Sequence, residues 1–420
     1  MTPNNTSTAY RTYVMCVLLI VYTLNFIDRQ IVGILAIPIK ADLGLNDTEL
    51  GMLGGLAFAL FYTGLGIPVA MLADRRSRTW IMTIALTLWS AMTAVCGLAQ
   101  NFSQLFLARL GVGVGEAGGV APAYSIIADY FPSHQRARAL SVYSFGVPIG
   151  SALGIIFGGL IASHIDWRYA FFAVGIAGIL IAPLFKLTVK EPPRGQFDDI
   201  KVATAPVSLS QILKVLAGKP SFWTMSLGAS ASSMMGYGAF FWLPSFLVRS
   251  FEMSLLDASL FFGATMLVGG IAGIWLGGLL ADKLGTNNRG AYATVPGVAF
   301  LITVPLYALA ILSSNLTLTF FALLLPIALS LAWLGPVISA MQHIVKPHMR
   351  ATTSAIFLFI NNLIGLGVGT LLIGYISDTL QARFGDDSLR YAILSGSSFY
   401  LLAAALMFVS AKRLARDWES

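Results

Sequence analysis

Long apolar runs, separated by short polar stretches, dominate the chain. Each run is long enough to cross a bilayer as a helix, which takes about 20 apolar residues. In lipid only helices and closed barrels pair all of their backbone groups, and these runs exceed the roughly ten residues of a barrel strand. We therefore predict an all-α membrane protein of twelve transmembrane helices. The predicted spans are 12–39, 48–73, 79–99, 102–131, 137–162, 167–189, 221–248, 256–281, 291–313, 316–345, 351–380 and 390–411.

The longest polar interval divides this pattern near its middle. It contains Pro192-Pro193-Arg194-Gly195, followed by an apolar periodicity around residues 209–216 that is typical of a short amphipathic helix. We therefore predict a six-helix half at 1–189, a cytoplasmic linker at 190–220 and a second six-helix half at 221–420.

Composition and charge agree with a membrane protein. Hydrophobic residues make up 57% of the chain and charged residues 11%, whereas soluble domains carry about 25% charged residues. The net charge of +7 lies in short loops, where it orients the spans and requires no nucleic acid partner. Of the 26 Lys and Arg residues, 19 fall on one predicted side, five on the other and two inside spans. The positive-inside rule thus places both termini in the cytoplasm, and we expect a multi-pass protein of the cell (inner) membrane.

Charged residues near the middle of the spans are the candidates for chemistry. Asp28 and Arg29 lie in the first predicted span, and Arg109 and Glu116 lie in the fourth. A charge at the bilayer centre costs ~2.5 kcal/mol or more, so such groups face a partner or a water-filled cavity. Helical spacing places Arg109 and Glu116 on one face of the fourth span. It likewise places Asn25, Asp28 and Arg29 on one face of the first span.

Two interpretations of these charges remain open. They could form buried ion pairs that only fix helix packing. Alternatively, Asp28 and Glu116 carry protons, because the proton affinity of a carboxylate depends on whether an arginine lies beside it. Arg29 and Arg109 would then be movable partners, or clamps for an anionic headgroup. The two cysteines, Cys16 and Cys96, lie in apolar runs and support neither a disulfide nor a metal site.

A loop motif occurs once in each predicted half. Residues Ala70–Ser77 follow the second span and Gly278–Gly285 follow the eighth, at an offset of 208 residues. This repeat favours a duplicated six-helix unit.

The loop motif resembles that of the major facilitator superfamily, Gly-x-Leu-Ala-Asp-Lys/Arg-x-Gly. The second copy fits fully, while Ala70 and Ser77 replace glycines in the first. The segment Arg109–Ala117 is similar to the fourth-helix motif of that superfamily. Within it, the segments Asn25–Arg29, Gly113–Ala117 and Ile127–Pro132 resemble the spinster family of lysolipid and sphingolipid transporters, and the short tails resemble those of a bacterial member.

The resemblance implies two pseudo-symmetric halves whose first and fourth helices line a central cavity. Candidate cavity residues are Tyr22, Asn25, Tyr143, Phe145, Tyr237, Asn361 and Asn362. For Asn361 and Asn362, a substrate contact and an interhelical hydrogen bond are both open. The resemblance also implies a cytoplasmic gate, although a solvated basic loop would explain the same residues. The gate candidates are Asp74, Arg75, Arg78, Asp129, Asp282 and Lys283.

The function that these patterns predict is secondary active transport by alternating access. The sequence lacks a GxxxxGK[ST] loop, so ATP is not the expected driver, and we expect no cofactor and no metal. By resemblance the cargo is an amphipathic anion such as a lysophospholipid or sphingosine phosphate. From the charges inside the spans we expect coupling to protons, and we expect a monomer within the lipid bilayer. Proton-linked export of drug-like amphiphiles and transport of a small organic acid are the alternatives. A membrane-embedded lipid enzyme would need a catalytic Ser/His/Asp set or a metal cluster at one depth, which the sequence does not supply.

Overall fold

The computed structural model describes residues 7–195, 197, 209–285, 288–346 and 349–419, and within these ranges the ordered elements are helices without strands. The all-α class is therefore confirmed. The first ten helices are α1 (Thr8–Ile34), α2 (Ala36–Leu43), α3 (Asp47–Gly51), α4 (Ala57–Arg75), α5 (Arg78–Cys96), α6 (Phe102–Glu116), α7 (Val120–Tyr130), α8 (Ser133–Ser144), α9 (Gly146–His164) and α10 (Trp167–Thr188).

The remaining helices follow residue 208. They are α11 (Leu209–Ala217), α12 (Pro220–Phe251), α13 (Leu255–Gly285), α14 (Ala291–Leu312), α15 (Leu316–Leu331), α16 (Leu334–His343), α17 (Arg350–Asn361), α18 (Gly367–Phe384), α19 (Ser388–Gly396) and α20 (Ser398–Asp417). The predicted amphipathic helix is present as α11, which buries Ile212 and Leu216. Two π-helical segments join neighbouring helices: Met52–Leu56 lies between α3 and α4, and Asn362–Leu366 lies between α17 and α18.

Ten stretches of the described residues are long and apolar enough to cross a membrane. The last, Thr352–Asp417, runs over both the eleventh and the twelfth predicted spans. Helix α12 coincides with the seventh predicted span and has 32 residues, but its serines and glycines make it less apolar, and it is not among the ten. The total of twelve spans and the cytoplasmic position of the termini stay predictions.

Contacts group the chain into two compact units. The first comprises Met1–Leu45 and Ala57–Ala203, and the second comprises Asn46–Leu56 and Thr204–Ser420. The predicted halves have a simpler boundary, at the 190–220 linker. The hydropathy pattern contains no sign that Asn46–Leu56 groups with the second unit.

Glycines fix how the helices of the first unit pack around α6. A Cβ atom added at Gly113 would lie 2.5 Å from the Phe58 carbonyl oxygen of α4. One added at Gly115 would lie 2.5 Å from the Trp89 backbone nitrogen of α5. Small residues allow such close backbone approach. Helix α6 is therefore wedged between α4 and α5 at the depth of its two charged residues, Arg109 and Glu116.

Candidate functional site

Two buried ion pairs connect α1 to α6 within the first unit. Arg109 donates from Nη1 to the Asp28 Oδ1 atom at 3.1 Å, and both residues are 1% exposed. The other oxygen of Asp28 accepts a hydrogen bond from the hydroxyl of Thr93 in α5. The Asp28 carboxylate is thereby held by helices α5 and α6 together.

The second pair joins Arg29 to Glu116. Arg29 donates from Nε to the Glu116 Oε2 atom at 2.8 Å, and Glu116 is fully buried. Three aromatic rings surround the guanidinium: its Cζ atom lies 5.0 Å from the centroid of Phe26, 4.8 Å from Phe58 and 4.4 Å from Tyr62. Such rings stabilise a cation through their quadrupoles. Adjacent residues of α1 thus pair crosswise with residues seven positions apart in α6.

Unused hydrogen-bonding capacity remains beside these pairs. The side-chain amide of Asn25 is buried, and neither its nitrogen nor its oxygen has a hydrogen-bond partner. The Glu116 Oε1 and Arg109 Nε atoms are likewise without a partner. An unsatisfied buried polar atom costs about 1–3 kcal/mol. Donors and acceptors that no described protein group satisfies therefore remain at this cluster.

Aromatic residues continue from this cluster along α1. Tyr22 stacks on Tyr143 of α8 with a ring-centroid distance of 4.2 Å, and Tyr124 packs edge-on against Tyr143 at 5.7 Å. The structure therefore brings Tyr22 and Tyr143 together. Phe145, at the junction of α8 and α9, is 47% exposed.

The predicted cavity residues of the second unit, Tyr237, Asn361 and Asn362, are uncharged. The hydroxyl of Ser233 in α12 donates to the Asn361 Oδ1 atom in α17 at 2.9 Å. The interhelical hydrogen bond considered for Asn361 is therefore present. Asn362 begins the second π-helical segment, and Tyr237 is half-buried in α12.

A second charge cluster lies at the predicted cytoplasmic end of the first unit. Arg78, in the first turn of α5, is 1% exposed and contacts the carboxylate of Asp129 in α7. It also donates to the Ser125 hydroxyl at 2.8 Å. The structure thus brings Arg78 and Asp129 together, whereas Arg75 is exposed. Lys283 is exposed in the second unit, and the side chains of Asp74 and Asp282 lie outside the described part of the structure.

Glu191 completes this cluster and is a residue that the sequence pattern did not predict. Its Oε1 atom accepts from Arg78 Nε at 2.7 Å, and its Oε2 atom accepts from the Ser77 hydroxyl at 2.8 Å and the Thr79 N–H at 2.9 Å. Burial alone would raise the pKa of this carboxyl. The hydrogen bonds from Thr79, Arg78 and Ser77 outweigh burial and lower the pKa of Glu191 to about 2. The available signal was an acidic residue between Lys190 and Arg194, at the start of the predicted linker.

The residues after Glu191 extend the same contacts. The Pro192 carbonyl oxygen accepts from Arg78 at 2.8 Å, and the Gly195 N–H donates to Asp129 at 2.9 Å. Arg194 donates to the carbonyl oxygens of Ala73 and Arg76, at 2.6 and 2.7 Å. The start of the predicted linker is therefore bound to the loop that follows α4. Within the described ranges, no group of three or more His, Cys, Asp or Glu residues could hold a metal ion.

Comparisons with known proteins agree with this architecture. The family model of the Major Facilitator Superfamily matches residues 18–370. An MFS-type efflux pump of Mycolicibacterium smegmatis is 35% identical over 94% of this chain and 90% of its own length. Protein spinster homolog 1 of Xenopus tropicalis is 30% identical over 97% of this chain and 84% of its own length.

A solved structure extends the similarity to three dimensions. The crystal structure of a bacterial homologue of the human lysosomal transporter Spinster, inward-facing and unoccupied, matches with a TM-score of 0.89 at 33% identity, and the match covers 99% of both chains. The chain therefore belongs to the major facilitator superfamily of membrane transporters, and within it to the relatives of the spinster proteins.

Proposed function

We propose that this protein is a proton-coupled carrier of an amphipathic anionic lipid, such as a lysophospholipid or sphingosine phosphate, that works by alternating access in the inner membrane as a monomer. Asp28 and Glu116 carry the protons. Arg29 and Arg109 either neutralise these two carboxylates when they are deprotonated or bind the anionic headgroup. The cluster of Arg78 and Asp129 closes the cytoplasmic side, and the sequence-predicted gate residue Asp74 acts with it.

The crosswise pairing of α1 with α6 is the observation that carries this proposal. Two carboxylates and two guanidinium groups are buried together, so a small relative movement of the helices changes the partner of each carboxylate. Loss of an arginine neighbour favours protonation of a buried carboxylate, and its return favours release. Each carboxylate would thus take up a proton when its arginine partner leaves and release it when the arginine returns. No unpaired carboxylate charge would then remain in the membrane.

The surroundings of Arg29 support an amphipathic anion as cargo. Arg29 offers a guanidinium held against three aromatic rings, and Tyr22 and Tyr143 continue the aromatic surface along α1. A guanidinium binds phosphate oxygens in a bidentate manner, while the rings suit an acyl chain. The unpartnered amide of Asn25 adds a neutral donor and acceptor nearby.

Export of drug-like amphiphiles is the second candidate. It is favoured by the efflux pump that is 35% identical to this chain. The same cluster would serve an organic amphiphile with a charged group, since the aromatic rings do not require a phosphate. A small organic acid would use the arginines and leave the aromatic surface without a role.

Flux through purified protein in liposomes tests the proposal. The cargo is a fluorescent lysophospholipid, its transfer between leaflets is followed with and without an imposed pH gradient, and the variant is Asp28→Asn. We expect flux above that of empty liposomes, stimulation by the gradient in the wild-type protein and loss of that stimulation in the variant.

The control removes a carboxylate elsewhere. Asp386→Asn changes an exposed residue and should behave as the wild-type protein does. Lipid flux indifferent to the gradient would remove the proton coupling and keep the cargo. Flux no faster than in empty liposomes would contradict the lipid cargo, and a fluorescent cationic drug would then test the second candidate.

A further inference from the structure

Helix α20 has one continuous exposed face, and the first part of that face is apolar. It carries Leu402, Ala405 and Val409, which follow one another at helical spacing. The opposite face packs against α12 and α14 and buries Tyr400 and Met407. The helix belongs to the last of the stretches that can cross a membrane, and lipid acyl chains cover the exposed apolar side chains of such a helix. This face of α20 is therefore turned to the bilayer.

The same face becomes cationic near the end of the helix. Lys412, Arg413 and Arg416 are all exposed and continue the helical spacing beyond Val409. At about 1.5 Å per residue, Lys412 lies about 4.5 Å beyond Val409 along the helix axis, and Arg416 lies about 10.5 Å beyond it. The headgroup layer adds about 5–7 Å on each side of the hydrocarbon core. The three cations therefore begin where the apolar face ends, at the depth of lipid headgroups.

The two acidic residues that follow these cations are used inside the second unit. Asp417 is 4% exposed, and its Oδ2 atom accepts a hydrogen bond from the Ser221 N–H at the start of α12, at 2.9 Å. Lys219 donates to the Glu419 Oε1 atom, also at 2.9 Å. This hydrogen bond lowers the pKa of Glu419, so the carboxylate is charged and paired with Lys219. Neither acidic residue therefore neutralises the exposed face of α20.

A fourth cation joins this face from the residues that precede α14. A Cβ atom at Gly290 would lie 2.9 Å from the Ala411 carbonyl oxygen, so the start of α14 touches α20 just before its cations. Arg289 is exposed, and its Cζ atom lies 5.5 Å from the ring centroid of Trp418. Trp418 is itself held by a stacking contact with His343, at a ring-centroid distance of 4.7 Å.

These four cations form one surface, the basic face, which consists of Arg289, Lys412, Arg413 and Arg416. Among the residues that the structure describes, none of the four has an ion-pair partner. The positive-inside rule accounts for basic residues at this end of the helix. It does not account for their continuity with the surface that faces acyl chains, nor for the inward position of both neighbouring carboxylates.

A ligand that fits both parts of this surface has an anionic headgroup and acyl chains. Guanidinium groups bind phosphate oxygens through paired hydrogen bonds. Clusters of four or more Lys and Arg residues beside a membrane span attract anionic lipids. A soluble anion would use the cations alone and leave the apolar part of the face without a role.

We propose that the basic face binds the headgroup of an anionic phospholipid in the cytoplasmic leaflet, with the acyl chains of that lipid along Leu402 and Val409. Neighbouring like charges repel one another, so the bound phosphate stabilises the end of α20 on α12 and α14. The inference concerns the second unit alone and rests on neither the lysolipid cargo nor the proton coupling proposed above.

Thermal unfolding of the purified protein in a neutral detergent tests this inference without any transport. A ligand that binds only the folded protein raises the unfolding midpoint in a saturable manner. We expect phosphatidylglycerol to raise the midpoint and phosphatidylcholine to leave it unchanged. The triple variant Lys412→Gln, Arg413→Gln and Arg416→Gln should need about a hundredfold more phosphatidylglycerol for the half-maximal shift, because three cations near an anionic lipid are lost.

The matched control removes three exposed cations from the predicted cytoplasmic end of the first unit. Arg76, Arg138 and Lys190 are all exposed, and their replacement by Gln changes the net charge by the same amount. This control variant should titrate as the wild-type protein does. If the α20 triple variant does not give a single gel-filtration peak, Arg413→Gln alone should raise the half-maximal concentration about fivefold.

Glycerol phosphate separates a lipid site from a site for free phosphate. It carries the same anionic group without acyl chains, and we expect it to leave the unfolding midpoint unchanged. A shift with glycerol phosphate as large as that with phosphatidylglycerol would contradict the lipid as ligand.

Three further results would overturn the proposal. A shift with phosphatidylcholine equal to that with phosphatidylglycerol would show that the charge of the headgroup is irrelevant. Wild-type titration of the folded α20 variants would show that the basic face does not bind the lipid. Equal weakening by the control variant would show a general attraction of basic loops to anionic lipid. A protein that failed to carry lysophospholipid could still show the predicted titration, so the two proposals fail independently.

Discussion

At the residue scale, the crosswise pairing of Asp28 with Arg109 and of Arg29 with Glu116 is the feature that distinguishes this protein from a helix bundle held by apolar packing. Buried ion pairs contribute little net stability, because desolvation of the two charges offsets their attraction. Removal of one partner is nevertheless strongly unfavourable, since the other charge stays buried. A pair with these properties suits a protein that exchanges partners during its cycle.

We predict that Arg109→Gln lowers stability by ~3–5 kcal/mol, the effect of leaving a buried carboxylate without its partner. The measurement is the midpoint of thermal unfolding in detergent. The double variant Asp28→Asn with Arg109→Gln has no unpaired charge and should recover much of the midpoint, but not gradient-stimulated transport. A double variant with wild-type transport would mean that the pair serves packing alone.

The sequence identified all four charges but could not identify their partners. Asp28 and Arg29 are adjacent in the chain, and the spacing of Arg109 and Glu116 places both on the same face of α6. Which carboxylate meets which guanidinium depends on the rotation of α6. That rotation is set by the contacts of Gly113 with Phe58 and of Gly115 with Trp89, which a single sequence does not reveal.

At the element scale, the short segment after α10 is bound to the first unit by charge. Glu191 accepts hydrogen bonds from the start of α5, and Arg194 donates to carbonyl oxygens after α4. The segment therefore stabilises the arrangement in which Arg78 contacts Asp129. Any movement that opens this cluster must also displace the segment.

Acid sensitivity tests the contribution of Glu191. Its pKa of about 2 in the folded protein lies below the value near 4.3 that is usual for an exposed glutamate. Its stabilising effect is therefore complete above the ordinary pKa and disappears as the pH falls from there towards about 2. We expect Glu191→Gln to lower the unfolding midpoint at neutral pH, and the wild-type curve to converge on it through this acidic window.

The comparison variant for this measurement is Asp386→Asn, which removes an exposed carboxylate and should follow the wild-type curve. If the curves of Glu191→Gln and the wild-type protein stay parallel throughout the window, the Glu191 contacts do not contribute to stability.

The positions of the helices were the most predictable feature, because a helix that crosses lipid needs a long apolar run. The predicted spans 167–189 and 291–313 correspond to Trp167–Thr188 and Ala291–Leu312. The π-helical segments could not be predicted, since a local change of hydrogen-bond spacing leaves the apolar pattern almost unaltered. The role of Glu191 was missed because positive-inside reasoning counts basic residues and ignores acidic ones.

At the scale of the whole molecule, the duplicated loop motif and the fourth-helix motif identify the superfamily, and the described residues confirm its all-helical class. The assignment of Asn46–Leu56 to the second unit could not be predicted, because it depends on contacts between residues about 330 positions apart, such as Thr48 with Asp378. The identity of the cargo is likewise not encoded in any motif. It depends on the shape and chemistry around Arg29 and Asn25.

Movement of protons driven by the cargo is the most direct test of the central claim. Liposomes containing the purified protein and an enclosed pH-sensitive dye receive lysophospholipid on one side, with no imposed gradient. We predict a change in internal pH that accompanies lipid transfer in the wild-type protein and in Asp386→Asn, and that is absent in Asp28→Asn and Glu116→Gln. Lipid transfer by the wild-type protein at constant internal pH would contradict the claim that the buried carboxylates couple transport to protons.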